Sequence, residues 1–213
     1  MILPDSLTCV GDGAFSNCTA LTSVTMPNSL THLGHAAFRG CTSLAEMVLP
    51  DSLTHLGTDT FASCTALASV TLPNMLNHLG ACAFQECTAL TLVKLPKSLR
   101  QIAKNAFRGC SSLTTVTLPD SLACIGIGAF IGCTALSSIS LPNSLTYIGK
   151  EAFHGCRRLR TVLTPVVRPF VGDNAFDGCL WSWTVPDVDP DGAARGPKRR
   201  RLSRSKNSES DAE

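Results

Sequence analysis

The chain has 213 residues and a formal net charge of +2, with hydrophobic residues at 44% and charged residues at 16%. That balance is too apolar and too weakly charged for a disordered chain, and no apolar run reaches the roughly 18 residues of a membrane-spanning helix. The opening stretch, residues 1–13, has neither a charged leader nor a continuous apolar run, so no signal peptide is expected.

Read from its first residue, the chain repeats. Phe recurs at positions 15, 38, 61, 84, 107, 130, 153 and 176, always 23 residues apart. Cys does the same from Cys18 to Cys179, and Pro from Pro4 to Pro165. Self-similarity at a fixed period of this size marks an architecture of stacked coils. Residues 49–71 represent the unit. Pro50 ends the preceding strand, and Asp51-Ser52 suits a turn held by side chain to backbone bonds. The Ser52–Gly57 block turns two apolar residues inward, and its glycine permits a bend. The segment around Phe61 and Cys64 reads as one tight helical or 3₁₀ turn that carries the ring into the core. Leu67, Val70 and Leu72 then have the spacing of a short leucine-rich-repeat strand, with Ser69 and Thr71 facing outward. One short strand per unit and no long helix are expected.

A single unit cannot bury its own apolar face, but stacked units cover one another. At a sheet spacing of about 4.8 Å, seven or eight units make a solenoid roughly 35–40 Å long. Phe, Leu, Val and Cys then form internal ladders.

The Leu-Pro-x-Ser-Leu-Thr-x-Ile-Gly and Ala-Phe-x-Gly-Cys blocks, at this period over residues 1–186, resemble the BspA-like (treponemal-type) leucine-rich repeats. The resemblance implies a curved parallel-sheet solenoid that binds proteins through its surface, and some bacterial members are described as adhesins. The last unit, residues 164–186, is degenerate: Arg168 replaces a Leu, Pro169 and Phe170 break the pattern, and Trp181 and Trp183 are expected to cover the final coil.

The chemistry of particular columns limits the function. Eight of the eleven Cys fall in one column, where stacked side chains point the same way, so reduced, buried thiols are expected rather than disulfides. Cys9, His32, His55 and His78 share another column. Their residue types are zinc ligands, yet Gln101, Cys124, Tyr147 and Phe170 continue the column, so it reads as a tolerant, half-exposed surface stripe with no metal. No P-loop, nucleophile-elbow, His-Glu-x-x-His or Cys-x-x-Cys signature occurs, and the acids of the repeats are scattered. No enzyme activity, cofactor or small-molecule substrate is therefore expected.

The outward strand positions are mostly Ser and Thr. Glu46, Val48, Leu92 and Lys94 interrupt them, and Lys97 and Arg100 follow closely, so these six residues are the expected partner contacts. Lys94, Lys97, Arg100, Lys104 and Arg108 place five positive charges within about one coil. Without interleaved aromatics they do not read as a nucleic-acid site.

After Pro186 the composition changes, and residues 187–213 read as a disordered basic and Ser-rich tail. Lys198, Arg199, Arg200, Arg201 and Arg204 resemble a nuclear-import signal for an importin-type receptor, with Ser203 as a phosphorylation candidate inside it and Ser208 and Ser210 beside acids. The resulting expectation is an intracellular, cytoplasmic or nuclear, protein-interaction scaffold of the leucine-rich-repeat type. The alternative is a surface or secreted adhesin-like module from an incomplete gene model.

Overall fold

The computed structural model describes residues 1–181, 187–188 and 194–195. Trp183, the basic run Lys198, Arg199, Arg200, Arg201 and Arg204, and the serines Ser203, Ser208 and Ser210 lie outside the described residues. The chain divides into two units, Met1–Trp181 and Ser182–Glu213.

In the first unit each turn of the solenoid takes about 23 residues, and from β3 to β14 it carries two short strands rather than one. The Leu-x-x-Val segments give the three-residue strands β3 (Glu46–Val48), β5 (Ser69–Thr71), β7 (Leu92–Lys94), β9 (Thr115–Thr117), β11 (Ser138–Ser140) and β13 (Thr161–Leu163). The x-Ile-Gly segments give two-residue strands, namely β1 (Cys9–Val10), β2 (His32–Leu33), β4 (His55–Leu56), β6 (His78–Leu79), β8 (Gln101–Ile102), β10 (Cys124–Ile125), β12 (Tyr147–Ile148) and β14 (Phe170–Val171). All their pairings are parallel and join residues one repeat apart, as in His32↔His55 and Glu46↔Ser69.

The second strand forms because a glycine that recurs in nearly every unit lets two coils approach closely. The N–H groups of Gly34, Gly57, Gly126, Gly149 and Gly172 donate to the carbonyls of Val10, Leu33, Ile102, Ile125 and Ile148 at 2.7–2.9 Å. A Cβ at Gly57 would lie 2.6 Å from the carbonyl carbon of Gly34, a distance only a backbone shift could relieve. Ala103 occupies this position in its coil. There the corresponding bond to Leu79 is missing, and the sheet divides into β1-β2-β4-β6 and β8-β10-β12-β14. One methyl group accounts for that break.

The segment around each Phe keeps single tight-turn bonds, as from the Cys41 N–H to the Phe38 carbonyl at 3.2 Å, but does not run on as a helical or 3₁₀ segment. Two residues per coil are left-handed, as at Ala36 (φ 52°) and Gly40 (φ 71°), and a right-handed helix cannot pass through them. The N–H groups of Ala36, Phe38 and Gly40 instead donate to Thr58, Thr60 and Ala62 of the next coil, each at 2.8 Å. The turn thus hydrogen-bonds along the solenoid axis, as the strands do.

The interior follows the expected ladders. Neighbouring Phe rings from Phe15 to Phe176 stack with centroids 5.0–5.5 Å apart and planes within 16°. Phe38, Phe61, Phe84, Phe107, Phe130 and Phe153 are fully buried. The Cys column does more than fill space. Cys64, Cys87, Cys110 and Cys133 donate their thiols to the carbonyls of Phe38, Phe61, Phe84 and Phe107 in the preceding coil at 3.0–3.1 Å. Ser hydroxyls tie the opposite corner, with Ser52 Oγ 2.5 Å from the Leu30 carbonyl and Ser98 Oγ 2.6 Å from that of Leu76. Met75 replaces this Ser in its unit and is 62% exposed. At the last coil Trp181 meets Phe176 edge-on at 4.7 Å and closes the ring ladder.

In the second unit, β15 (Asp187–Val188) and β16 (Ala194–Arg195) pair antiparallel, Asp187 opposite Arg195. The sequence reading expects no order there, although the Pro190-Asp191-Gly192 sequence between them is turn-forming chemistry.

Candidate protein-interaction surface

The two faces of the first unit differ in continuity. In the sheet of three-residue strands, every second joint between coils is open just after the strand, two of these joints having no paired residues and the third having one. Thr25 bridges back to Ile2, and no pairing joins it to β3; β9 and β11 are likewise unpaired. Between them, β5 and β7 pair only at Ser69↔Leu92, whereas β3–β5, β7–β9 and β11–β13 each pair over three residues.

The residue after each strand records the same alternation. The N–H groups of Leu3, Leu49, Leu95 and Leu141 donate to the next coil at 2.8–3.2 Å, and these side chains are buried. Met26, Leu72 and Leu118 lie at the open joints, make no such bond, and are half-buried. At each open joint the surface is hollowed: about 430 Å³ around Met26, about 580 Å³ around Leu72 and about 360 Å³ around Leu118. The three hollows occupy the same position of every second repeat, so they form a row, termed the trough, that crosses the strands and follows the axis.

All six residues expected to contact a partner are exposed, but the coil sorts them. Glu46 and Val48 line the first hollow, and Leu92, Lys94 and Lys97 line the second. Arg100 lies beyond the Pro96 corner on the approach to β8, and Lys104 and Arg108 follow β8. The five positive charges are therefore distributed around the circumference, because the chain turns a corner between them. The sequence reading missed Asp51 and half-buried Val70 in the second hollow and Asp120 in the third. Its available signal was the recurrence of Thr25, Thr71 and Thr117 on one side of the open joints, against Val48, Lys94 and Ser140 on the other.

On the other sheet, Cys9, His32, His55 and His78 do align, and all four are exposed rather than half-exposed. The His32 and His55 rings stack at 5.5 Å with planes 11° apart. A metal ion sits in the plane of an imidazole, along its nitrogen lone pair, so stacked rings aim their lone pairs side by side instead of at one point. Thr31 and Thr54 hydroxyls also engage Nδ1 of His32 and His55 at 2.8 Å. Among the described residues no group of three or more His, Cys, Asp or Glu is placed to hold a metal ion.

The repeat itself matches the model of the BspA type leucine rich repeat region over residues 1–87 and 59–181. The chain belongs to this family. A leucine-rich repeat protein from Eubacterium ventriosum superposes with a TM-score of 0.69 at 25% identity over 90% of this chain. The Treponema pallidum leucine-rich repeat protein gives 0.52 at 30% identity over 64% of this chain and 77% of its own. A Bacteroides ovatus leucine-rich repeat protein gives 0.49 at 31% identity over 84% of this chain. The chain spans 58% of the Bacteroides protein and 46% of the Eubacterium protein. No curated protein matches it.

In this BspA-type repeat the apolar signature residues are mostly buried, and the trough residues Glu46, Leu92, Lys94 and Lys97 fall outside the signature. The Cys column belongs to the interior. All eleven cysteines are free thiols. Burial pushes the thiols of Cys64 and Cys110 up to about 12, and those of Cys87 and Cys133 well above the usual range. Protonated, enclosed sulfur of this kind is a poor nucleophile and metal ligand. Among the described residues no helix is long and apolar enough to cross a membrane.

Proposed function

We propose that this BspA-type protein is a non-enzymatic protein-binding module of the adhesin-like kind, acting at a cell surface, and that the trough is its contact surface. One observation carries the reading: an otherwise uniform Ser and Thr face is interrupted by hollows where Val48 (64% exposed) and Leu92 (54% exposed) stand beside the charges of Glu46 and Lys94. Exposed apolar side chains ringed by charge are the usual composition of a contact patch. The adhesin-like setting rests on family membership. Selection of displayed random peptides on the full chain tests the trough. Enriched peptides are expected to lose binding to a Leu92→Asp, Lys94→Glu variant, and undiminished binding would place the contact elsewhere.

A second reading has its own support. Eleven free thiols suit a reducing compartment, and the run from Lys198 to Arg204 has the composition that importin-type receptors recognise. In this reading residues 1–186 form an intracellular scaffold and residues 187–213 a separate tail that directs it. A reporter fused to the tail is expected to enter the nucleus, and Lys198→Ala with Arg199→Ala and Arg200→Ala to keep it out. Equal distribution of the two would remove this reading. A Ser203→Asp variant is expected to reduce import through its negative charge.

A further inference from the structure

We infer that the trough binds an extended, proline-rich peptide in the polyproline II conformation, read in steps of three residues. The inference rests on the trough being the contact surface and adds the form of the ligand.

Each hollow contains a backbone N–H that no protein acceptor takes, at Met26, Leu72 and Leu118. These donors recur every two coils, about 9.4–9.8 Å at the spacing of paired strands and roughly 10–11 Å at the 5.0–5.5 Å step of the Phe ladder. A ligand that meets all three must offer an acceptor at that interval. An α-helix has its backbone carbonyls already paired. An extended β-chain repeats its facing groups every two residues, about 6.6–6.8 Å, and drifts out of step after one hollow. A polyproline II chain has three residues per turn, about 9.3 Å, with unpaired carbonyls that can accept from the wall, and its prolines, lacking N–H, need no acceptors there. It is also partly ordered before binding, so less conformational entropy is lost.

The trough also carries a charge order. Among its outward strand and turn positions from Ser23 to Asn143, the charged residues are Glu46, Asp51, Lys94, Lys97 and Asp120, giving negative, positive and negative stretches along the axis. The complementary peptide carries a basic, an acidic and a basic side chain at successive three-residue steps. Pairing of this kind sets register and rejects wrong partners more than it adds raw affinity.

Fluorescence anisotropy with the full chain tests this. The probe is a labelled ten-residue peptide with Arg, Glu and Arg at positions 2, 5 and 8 and proline elsewhere. One control carries the same charges at positions 2, 4 and 6; another is an alanine-rich helical peptide with the charges seven residues apart. The three-step peptide is expected to bind at least tenfold more tightly than either control. Lys94→Glu with Lys97→Glu, two exposed changes whose folding circular dichroism verifies, is expected to weaken it at least tenfold, and a peptide with Lys in the central position to restore binding to that variant. Equal binding of the three-step and two-step peptides, preference for the helical one, or no binding at all would overturn the inference. If a control binds best and that binding is lost in the Lys94/Lys97 variant, the trough remains the contact surface and only the ligand form is wrong. Binding indifferent to the variant removes both.

Discussion

The interior of the solenoid and its outer sheet are made from the same repeat, yet they differ in period. Inside, the Phe rings stack at an almost constant 5.0–5.5 Å and the Cys thiols bond coil to coil without interruption from Cys41 to Cys179. Outside, alternate joints of the three-residue strands lack the backbone bond that closes their neighbours, and the two-residue strands break once, at Ala103. The ladder tolerates little because each ring is enclosed by its neighbours on both sides. The sheet tolerates more because solvent can take over a lost backbone bond. In this protein continuity resides in the core, and variation on the surface is what shapes the trough.

Six substitutions test that contrast. Phe107→Ala is expected to cost about 3–5 kcal/mol, as removal of a buried aromatic does, while Leu92→Ala on the outer face stays within about 0.5 kcal/mol; urea unfolding measures both, and comparable losses would erase the distinction. Alkali should attack the same core. Cys64 and Cys110 hold their protons up to about 12 against an ordinary 9.0, so between those values the unfolded chain binds fewer protons than the native one. Stability from these thiols is complete below pH 9 and falls as pH rises toward 12, by up to about 1.4 kcal/mol per thiol per pH unit. Cys110→Ala is expected to flatten that slope, and a slope unaffected by it would show that the thiol is not the cause.

On the sheet, Gly57→Ala is expected to cost about 1–3 kcal/mol by forcing β2 and β4 apart, and the reverse change, Ala103→Gly, to slow hydrogen exchange at residue 103 by joining β6 to β8. Exchange at 103 that remains as fast as before would remove the methyl group as the cause of the break. Met75→Ser is the smallest effect, a gain of about 0.5–1.5 kcal/mol from a new bond to the preceding coil, read as a raised urea midpoint.

Much of this architecture is visible in the chain itself. The Phe, Cys and Pro columns announce the coil, and strand alternation alone places Glu46, Leu92 and Lys94 outward. The gap at Ala103 in the glycine column was legible as well, although its effect depends on how closely Gly34 and Gly57 approach, which spacing alone does not reveal. The second strand was hidden for a related reason: two residues such as His55-Leu56 are too short to show a period. The left-handed positions were obscured because Ala36, Cys82 and Glu86 occupy some of them, where glycine would have been the signal. Ring orientation in the His32–His55 pair, and the opening of alternate joints, depend on tertiary geometry that column membership does not encode.

The alternation of joints bears on how such a chain can change its length. Thr25, Thr71 and Thr117 mark the open joints at steps of 46 residues, two repeats each time. Excising one repeat would preserve every buried column but bring two joints of the same kind together and put the hollows beyond the cut out of phase. Losing or duplicating two at once would leave the rhythm intact, so the heritable increment of this surface is a doublet of repeats, even though the increment of its interior is a single one.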